Sequence, residues 1–393
     1  MMATSKKRRS GKAPAAGGGG SRIAARGFGG APAAATGARP LQSGAYAALS
    51  RYLLAGAANV RRVAIADIPA PGGEGPPLRG VIATEAIPAG AVMCSLPRSL
   101  AVDLGSEGKN PGVVALELLR LMDGAAAGGG GGGRGRPLLA PVFDCLPALG
   151  SAEVLTPDWY TAEELDALEY RPVVTEVLAR QQLLRSTYED AVAADPAVAD
   201  RLDRMGGYER YLWAVFIVVS RSYTIAEASG APPRKYLLPL FDMANHHPAS
   251  PHTMSCRGGS FQLVAGAPVA AGEEICLVYG GTAQLGNDRL LMDYGFVNTE
   301  DNFAADLRAL LRGATHGRTK SQAVAAVGGA AAAAEEQLLE TVRAVKGGFS
   351  TTLEADEARL AAGGEDLSPA MRQVLSFRVA MKRCLSQALR PAE

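Results

Sequence analysis

The stretch that most constrains the fold is residues 236–303, where short apolar runs repeatedly end in polar or aromatic residues. Three runs have the composition of buried strands: residues 236–241, 261–265 and 275–279. Asp242, Asn245 and His246 follow the first run, and Tyr279 closes the third. Side chains at strand ends are held by a rigid sheet and often form functional sites. We therefore expect these four residues to take part in one site.

Three motifs stand in a fixed order in this stretch: D-x-x-N-H from Asp242, G-E-E-I-x-x-x-Y-G from Gly272 and N-x-x-L-L-x-x-Y-G-F from Asn287. The ordered set resembles the C-terminal half of SET-domain protein methyltransferases. The branch is the one that includes the large-subunit methyltransferase of Rubisco and the actin-histidine methyltransferase. The resemblance implies an α+β fold: a SET β-fold with a knot-like core, a helical insert and a C-terminal helical region. A knot-like core is an exception to the rule that chains do not thread their own loops.

An earlier segment, residues 78–84, follows a loop of proline and glycine and has the composition of a strand. It reads L-R-G-V-I-A-T, continues into I-x-x-G and a second strand that ends at Pro97, and resembles the N-terminal half of the SET fold. The resemblance implies that the backbone of Arg79, Gly80 and Val81 lies against the methyl donor, where a glycine permits close approach. Taken alone, the segment also fits an ordinary β-hairpin.

The resemblance also predicts the domain organisation. We expect residues 1–40 to be a disordered leader or a transit peptide, residues 41–303 to be the SET domain with a helical insert at about 112–230, and residues 304–393 to be a C-terminal helical region similar to the substrate-binding part of the family. Apolar residues at helical spacing in the insert and in the C-terminal region agree with this organisation.

The resemblance implies S-adenosyl-L-methionine as the methyl donor and makes Tyr279 the catalytic residue. A phenol at the end of a buried strand can orient both the nucleophile and the transferring methyl group without carrying a charge. The predicted donor-binding residues are Arg79, Gly80, Val81, Arg221, Asp242, Asn245, His246, Tyr294 and Phe296. Arg221 is expected to pair with the carboxylate of the donor, and the Asn245 amide offers both a hydrogen-bond donor and an acceptor. No metal is expected.

Several of these assignments have a structural alternative that the sequence leaves open. Tyr279 could be a core tyrosine whose hydroxyl merely finds a partner. Arg221 could be a solvated surface residue, and Asp242 could be a turn former. Tyr294 and Phe296 could belong to plain core packing.

The expected function is methylation of a lysine side chain of a non-histone protein, with a histidine target as an alternative. A second alternative is a catalytically silent SET module that binds a protein partner. This alternative arises because the chain has about three more residues between Tyr279 and Asn287 than the family usually has. Extra residues there could form a loop or disturb the channel for the target lysine.

A metal hydrolase is a third alternative, because Asp242, His246, His247 and His252 lie within eleven residues. Imidazole and carboxylate groups are good ligands for zinc or iron. The chain has no H-E-x-x-H or comparable spacing, and this argues against a metal site. A serine or cysteine hydrolase is not supported, because no G-x-S-x-G motif is present.

Composition limits the kinds of binding partner and the cellular compartment that we expect for this chain. The formal net charge of +1 argues against binding to nucleic acid, and no apolar run is long enough to span a membrane. The five cysteines include no C-x-x-C pair, which predicts free thiols in a reducing compartment. We expect a monomer whose partner is a protein substrate.

The leader carries the signal for localisation. No Asp or Glu precedes Asp67, and the leader is rich in alanine, glycine, serine, lysine and arginine. This composition resembles a transit peptide, and we predict a chloroplast protein because the related branch includes plastid enzymes. A nucleus or cytoplasm is the alternative, since Lys6-Lys7-Arg8-Arg9 could also be a nuclear signal.

Overall fold

The structure is a computed structural model. It describes residues 37–69, 77–106, 108, 110–126, 139–226, 232–281, 284–299, 302–315, 331–363 and 366–390. The first 36 residues of the predicted leader lie outside the described residues, as do residues 282 and 283 of the long loop after Tyr279.

The described residues form nine short strands. They are β1 (Arg39–Pro40), β2 (Val63–Ile68), β3 (Leu78–Ala83), β4 (Val92–Pro97), β5 (Val102–Ser106), β6 (Ser222–Ile225), β7 (Arg234–Leu237), β8 (Thr253–Arg257) and β9 (Ser260–Val264). The strands make three antiparallel sheets with the orders β1-β2-β3, β4-β9-β8 and β5-β7-β6. The first sheet therefore uses only strands that precede the long helical stretch, whereas the second and third sheets each pair a strand that precedes it with strands that follow it.

Twelve helices accompany these sheets in the described part of the chain. They are α1 (Gly44–Ala55), α2 (Pro111–Ala126), α3 (Ala140–Phe143), α4 (Ala162–Asp166), α5 (Arg171–Ala194), α6 (Pro196–Met205), α7 (Gly207–Arg221), α8 (Asn287–Arg289), α9 (Phe303–Thr315), α10 (Ala331–Gly347), α11 (Leu353–Ala362) and α12 (Pro369–Ala388). Short 3-10 turns lie at Arg98–Leu100, Pro157–Trp159 and Phe241–Met243, and a π-helical turn lies at Leu290–Tyr294. None of the described helices combines the length and the apolar character that crossing a membrane requires.

The strand prediction in the central stretch is confirmed in one part and corrected in two. The run at 261–265 is β9. The run at 236–241 ends as a strand at Leu237, because Pro239 cannot donate to a ladder and Leu240 adopts a positive φ of 76°. The run at 275–279 does not form a strand within a ladder and makes isolated bridges instead.

These isolated bridges hold the 273–279 segment between two distant parts of the chain. On one side the Ile275 amide donates to the Val81 carbonyl of β3 at 2.7 Å. On the other side the Leu277 amide donates to the Asn245 carbonyl at 2.8 Å, and the His247 amide donates to the Leu277 carbonyl at 3.1 Å. The segment thus fixes the R-G strand relative to the N-H motif.

Two hydrophobic clusters hold the helices around the sheets. The larger one contains the fully buried rings of Trp213, Tyr211 and Phe241 and joins α2 and α7 to the sheets. The second includes Leu291, Phe377 of α12 and Tyr170, which directly precedes α5, with the rings of Tyr170 and Phe377 in edge contact at 5.5 Å. Burial of apolar area drives both clusters. The second one packs the C-terminal helix α12 against the turn that leads to Tyr294.

Candidate active site

Two clefts meet at the ends of the motif segments. Eight of the residues predicted for the site line the first cleft: Arg79, Arg221, Asp242, Asn245, His246, Tyr279, Tyr294 and Phe296. The second cleft lies between β6, residues 248–254 and residues 277–281. The first has a cavity volume of about 60 Å³ and the second of about 840 Å³. Both clefts share Ser220, Arg221, Asp242, Tyr279 and Tyr294, so these side chains stand where the clefts join.

Tyr279 is fixed from its backbone and from its hydroxyl group. Its amide donates to Nδ1 of His246 at 3.0 Å, and its hydroxyl donates to the Ala244 carbonyl at 3.0 Å. Gly280 and Gly281 follow with φ of 79° and 69°, a left-handed conformation that glycine adopts without strain. The chain therefore turns away directly after Tyr279 and leaves the half-buried phenol at the junction of the clefts.

Four rings surround this junction. The ring of Tyr294 stacks on that of Tyr279, with centroids 4.6 Å apart. The ring centroid of Phe296 lies 6.4 Å from that of Tyr279 and 6.0 Å from that of His246. Burial raises the pKa of the Tyr294 hydroxyl, and the nearby Tyr279 and Asp293 raise that pKa further. Tyr294 therefore stays a neutral phenol at neutral pH.

His246 is buried as a neutral imidazole. Burial lowers the pKa of this histidine to about 4. Because Nδ1 accepts the Tyr279 amide, the ring proton is on Nε2, which is buried and has no hydrogen-bond partner in the protein. The first cleft thus contains an unused hydrogen-bond donor.

Arg221 and Asp242 supply two further unused atoms. The Arg221 guanidinium donates through Nη1 to the Asp242 carbonyl at 2.8 Å, while its Nε is buried and has no partner. Oδ1 of Asp242 is likewise buried without a partner. Burial raises the pKa of Asp242 against the opposing effect of Arg221 and Arg79. Burial also lowers the pKa of Arg221, with Arg79 acting in the same direction.

Asn245 links the two halves of the site. Its Nδ2 donates to the Arg79 carbonyl at 3.0 Å and to Oε1 of Glu274 at 2.8 Å. A Cβ atom on Gly80 would lie 2.3 Å from Cδ1 of Ile68, 2.8 Å from that same Glu274 oxygen and 3.0 Å from Asn245 Nδ2. Gly80 is therefore required by protein packing, which is a different reason from the ligand approach that the sequence suggested.

Gly80 and Val81 are the two predicted site residues that are not among those lining the first cleft. The Val81 side chain is fully buried in the hydrophobic core. Their proposed backbone contact with a donor stays a prediction. Arg79 does line the cleft, and its Nη1 donates to the Cys145 carbonyl at 2.6 Å.

Sequence reasoning missed Glu153, which also lines the first cleft. Its Oε2 lies 3.3 Å from Nη2 of Arg221 and 3.9 Å from Nη2 of Arg79. Glu153 stands in an irregular segment before the Pro157–Trp159 turn, where no motif or periodicity marks it.

Tyr223 was missed for a different reason. The apolar run of helix α7 gives no sign that the helix ends at Arg221 and that Tyr223 belongs to strand β6. Its hydroxyl donates to the Phe241 carbonyl at 2.9 Å, and its side chain lines the second cleft.

The histidines of the metal hypothesis do not converge. Nδ1 of His247 accepts the Ala249 amide, and Nδ1 of His252 accepts the Gly266 amide. Among the described residues, no group of three or more His, Cys, Asp or Glu side chains is arranged to hold a metal ion.

Comparison with known proteins gives the fold. No protein-family model matches the chain. The SET domain of LSMT bound to lysine and AdoHcy superposes with a TM-score of 0.57 at 17% sequence identity, over 87% of this chain and 89% of that one. The chain has the SET fold. Rubisco LSMT bound to AdoMet is similar too, with a TM-score of 0.52 at 17% identity, over 88% of this chain and 91% of that one.

The predicted α+β SET fold and its resemblance to the Rubisco branch are therefore confirmed. A shorter match is to the ribosomal lysine N-methyltransferase set10 of Schizosaccharomyces pombe (strain 972), at 29% identity over 130 residues. This match covers 32% of the present SET-fold chain and 22% of that protein, so it spans about a fifth of the length of the curated relative.

Proposed function

We propose that this chain is an S-adenosyl-L-methionine-dependent methyltransferase that acts on a lysine side chain of a protein. The observation that carries the proposal is the meeting of two clefts at Tyr279 and Tyr294. In-line transfer needs the donor and the nucleophile to approach one carbon atom from opposed directions. Two clefts that join at a pair of phenols give the donor and the nucleophile separate entrances to one point.

The unused polar atoms of the first cleft fit the donor. Arg221 Nε suits a carboxylate, Asp242 Oδ1 suits an ammonium group, and His246 Nε2 suits an acceptor atom such as a ring nitrogen. S-adenosyl-L-methionine carries all three groups, and it supplies an activated methyl group. We therefore assign donor binding to these residues, with Arg79, Asn245, Tyr294 and Phe296 forming other parts of the cleft and Gly80 and Val81 supporting it.

Binding in the first cleft requires its side chains to separate. Pockets for molecules of this size measure about 300–1,000 Å³, whereas this cleft measures about 60 Å³. Glu153 lies between the guanidinium groups of Arg79 and Arg221. Its carboxylate occupies the position at which the carboxylate of a donor would pair with Arg221, so we expect Glu153 to move when the donor binds.

The second cleft is assigned to the target lysine. A lysine ε-amine has a pKa near 10.4 in water and must lose its proton before it attacks. An amine that enters this cleft beside Tyr279 and Tyr294 is withdrawn from water, and this desolvation disfavours its ammonium form. Tyr279 then orients the neutral amine through its hydroxyl group, which is held by the Ala244 carbonyl.

The target is proposed to be a non-histone protein. The related proteins support this, because one is named for the ribosome and others for Rubisco. We assign the helices after residue 304 to binding of the protein substrate, residues 112–230 to the insert of a SET domain at 41–303, and residues 1–40 to a chloroplast transit peptide. The Rubisco relative is the support for this compartment.

Calorimetric titration with S-adenosyl-L-methionine and transfer of tritiated methyl groups test the proposal on the full chain. A protein extract serves as acceptor, and mass spectrometry locates the modified side chain. Tyr279→Phe is compared with the matched control Tyr52→Phe. The Tyr52 hydroxyl also donates to a backbone carbonyl, that of Leu100, but Tyr52 lines neither cleft. We expect lysine methylation that Tyr279→Phe abolishes and Tyr52→Phe retains.

The other outcomes separate the alternatives. A folded chain that does not bind the donor contradicts the proposal. Donor binding without transfer to any acceptor favours the silent module, and label found on histidine replaces the lysine target.

A further inference from the structure

The segment that carries Tyr294 has an unusual backbone. Residues Leu290–Tyr294 form a single π-helical turn, and Gly295 follows with a φ of 72°. Such turns are rare and often occur at functional sites. A Cβ atom on Gly295 would lie 2.2 Å from the Leu155 carbonyl oxygen, so the turn is packed directly against residues 155 and 156. The position of the Tyr294 ring therefore depends on what holds this turn.

Arg180 of helix α5 holds the turn before Tyr294. Its Nη1 donates to Oδ1 of Asp293 at 2.8 Å, and its Nη2 donates to the Met292 carbonyl at 2.6 Å. Its Nε donates to Oδ1 of Asp158 at 2.8 Å. The Arg180 side chain is only 13% exposed, so these charge-assisted bonds are little weakened by solvent.

Gln373 of helix α12 holds the chain after Tyr294. Its Nε2 donates to the Gly295 carbonyl at 2.6 Å and to the Leu155 carbonyl at 3.2 Å. Its Oε1 accepts the Tyr160 hydroxyl at 2.6 Å, which orients the amide. Backbone carbonyls on both sides of Tyr294 are thus fixed by side chains from two helices that lie far apart in the sequence.

We propose that Arg180 and Gln373 are positioning residues that keep the Tyr294 ring stacked on Tyr279 and thereby set the geometry of the transfer step. The proposal rests on the proposed function for its effect on catalysis. Neither residue lines either cleft, so each acts through the backbone of residues 292–295. The C-terminal helix α12 then contributes to the order of the active site as well as to the fold.

Fluorine NMR of the full chain labelled with 3-fluorotyrosine tests the proposal without requiring activity. The resonances of Tyr279 and Tyr294 are assigned with the Tyr279→Phe and Tyr294→Phe variants. Arg180→Gln and Gln373→Met are the test variants. Arg289→Gln is the matched control, because Arg289 also joins helix α5 to this segment, through Glu176, but in a pair that is more than one third exposed.

We expect both resonances to shift or broaden in Arg180→Gln and Gln373→Met and to stay in place in Arg289→Gln. With an acceptor in hand, kcat falls about 10-fold or more in the two test variants, while the Kd for S-adenosyl-L-methionine changes less than about 3-fold.

Unchanged resonances in folded test variants overturn the proposal. If Arg180→Gln does not fold, Asp293→Asn and Gln373→Met carry the test. If the wild type transfers no methyl group, the proposed function is wrong. The fluorine resonances then still decide whether Arg180 and Gln373 position Tyr294.

Discussion

The phenol rings of Tyr279 and Tyr294 stack with their centroids 4.6 Å apart and their planes inclined by 29°. The two residues come from segments with different supports. Tyr279 ends the segment that is bonded to β3, and Tyr294 ends a π-helical turn that is held from α5 and α12. A relative movement of these two segments would therefore change the contact between the two rings. It is also the point where the two clefts join.

Removing the hydroxyl group of Tyr279 should stop the transfer and spare donor binding. In Tyr279→Phe we expect kcat to fall by at least about 100-fold, the loss typical of one oriented hydrogen-bonding group in an active site. The Kd for S-adenosyl-L-methionine should stay within about 3-fold, because the ring still packs on Tyr294. Single-turnover kinetics and calorimetry measure the two quantities. An active Tyr279→Phe enzyme would remove Tyr279 from the catalytic role.

Arg221 should recognise the amino-acid end of the donor. In Arg221→Met we expect S-adenosyl-L-methionine to bind about 10-fold more weakly or worse, since a charge-assisted hydrogen bond contributes about 1.5–3 kcal/mol. Binding of 5′-methylthioadenosine, which lacks the carboxylate, should change little. Calorimetry with both ligands is the measurement, and circular dichroism controls for folding. An equal loss for the two ligands would place Arg221 in a structural role.

A methyl group on Gly80 should damage the packing beneath the site. Gly80→Ala places a Cβ atom 2.3 Å from Ile68 and 2.8 Å from Glu274, and we expect a loss of about 1–3 kcal/mol in the free energy of unfolding. Gly124→Ala is the control, because no atom lies within 4 Å of its added Cβ in helix α2. That variant should gain up to about 1 kcal/mol. Urea unfolding compares them, and equal stabilities would refute the packing argument.

His246 should make stability depend on pH. Because burial lowers the folded-state pKa of this histidine from 6.5 to about 4, the unfolded chain binds more protons between these values. Its contribution to stability is complete above pH 6.5 and is lost as the pH falls to 4, in total about 3 kcal/mol. We expect the difference in unfolding free energy between wild type and His246→Gln to shrink by this amount from pH 7 to pH 4. A difference that stays constant over this range would show that His246 does not titrate as described.

The sequence predicted which residues meet, because ordered motifs constrain a fold more than single residues do. The cleft that gathers Arg79, Arg221, Asn245 and Tyr279 from distant segments agrees with that prediction, although their roles stay predictions. The T-x-x-E pattern at Thr161 and Glu164 also indicates the start of helix α4, and both reciprocal hydrogen bonds of this capping box form.

The structural features that the sequence did not predict depend on contacts between residues that are far apart in the chain. The 275–279 run has the composition of a strand, yet it is bonded to two different partners and joins no ladder. Glu153, Arg180 and Gln373 lie on segments whose local patterns indicate only a loop or a helix. Their contacts to the site are made across the fold, so no spacing within their own segments marks them.

The segment held between β3 and the N-H motif has a consequence for the order of folding. The Asn245 side chain bonds to the Arg79 carbonyl across 166 residues of chain, and residues 273–279 bond to both partners only later in synthesis. The edge of β3 therefore lacks this partner during synthesis until residues 273–279 have left the ribosome. Loop-closure entropy makes such non-local pairings slow to form. Refolding of this chain should be limited by the docking of one seven-residue segment, long after the helices between its partners have formed.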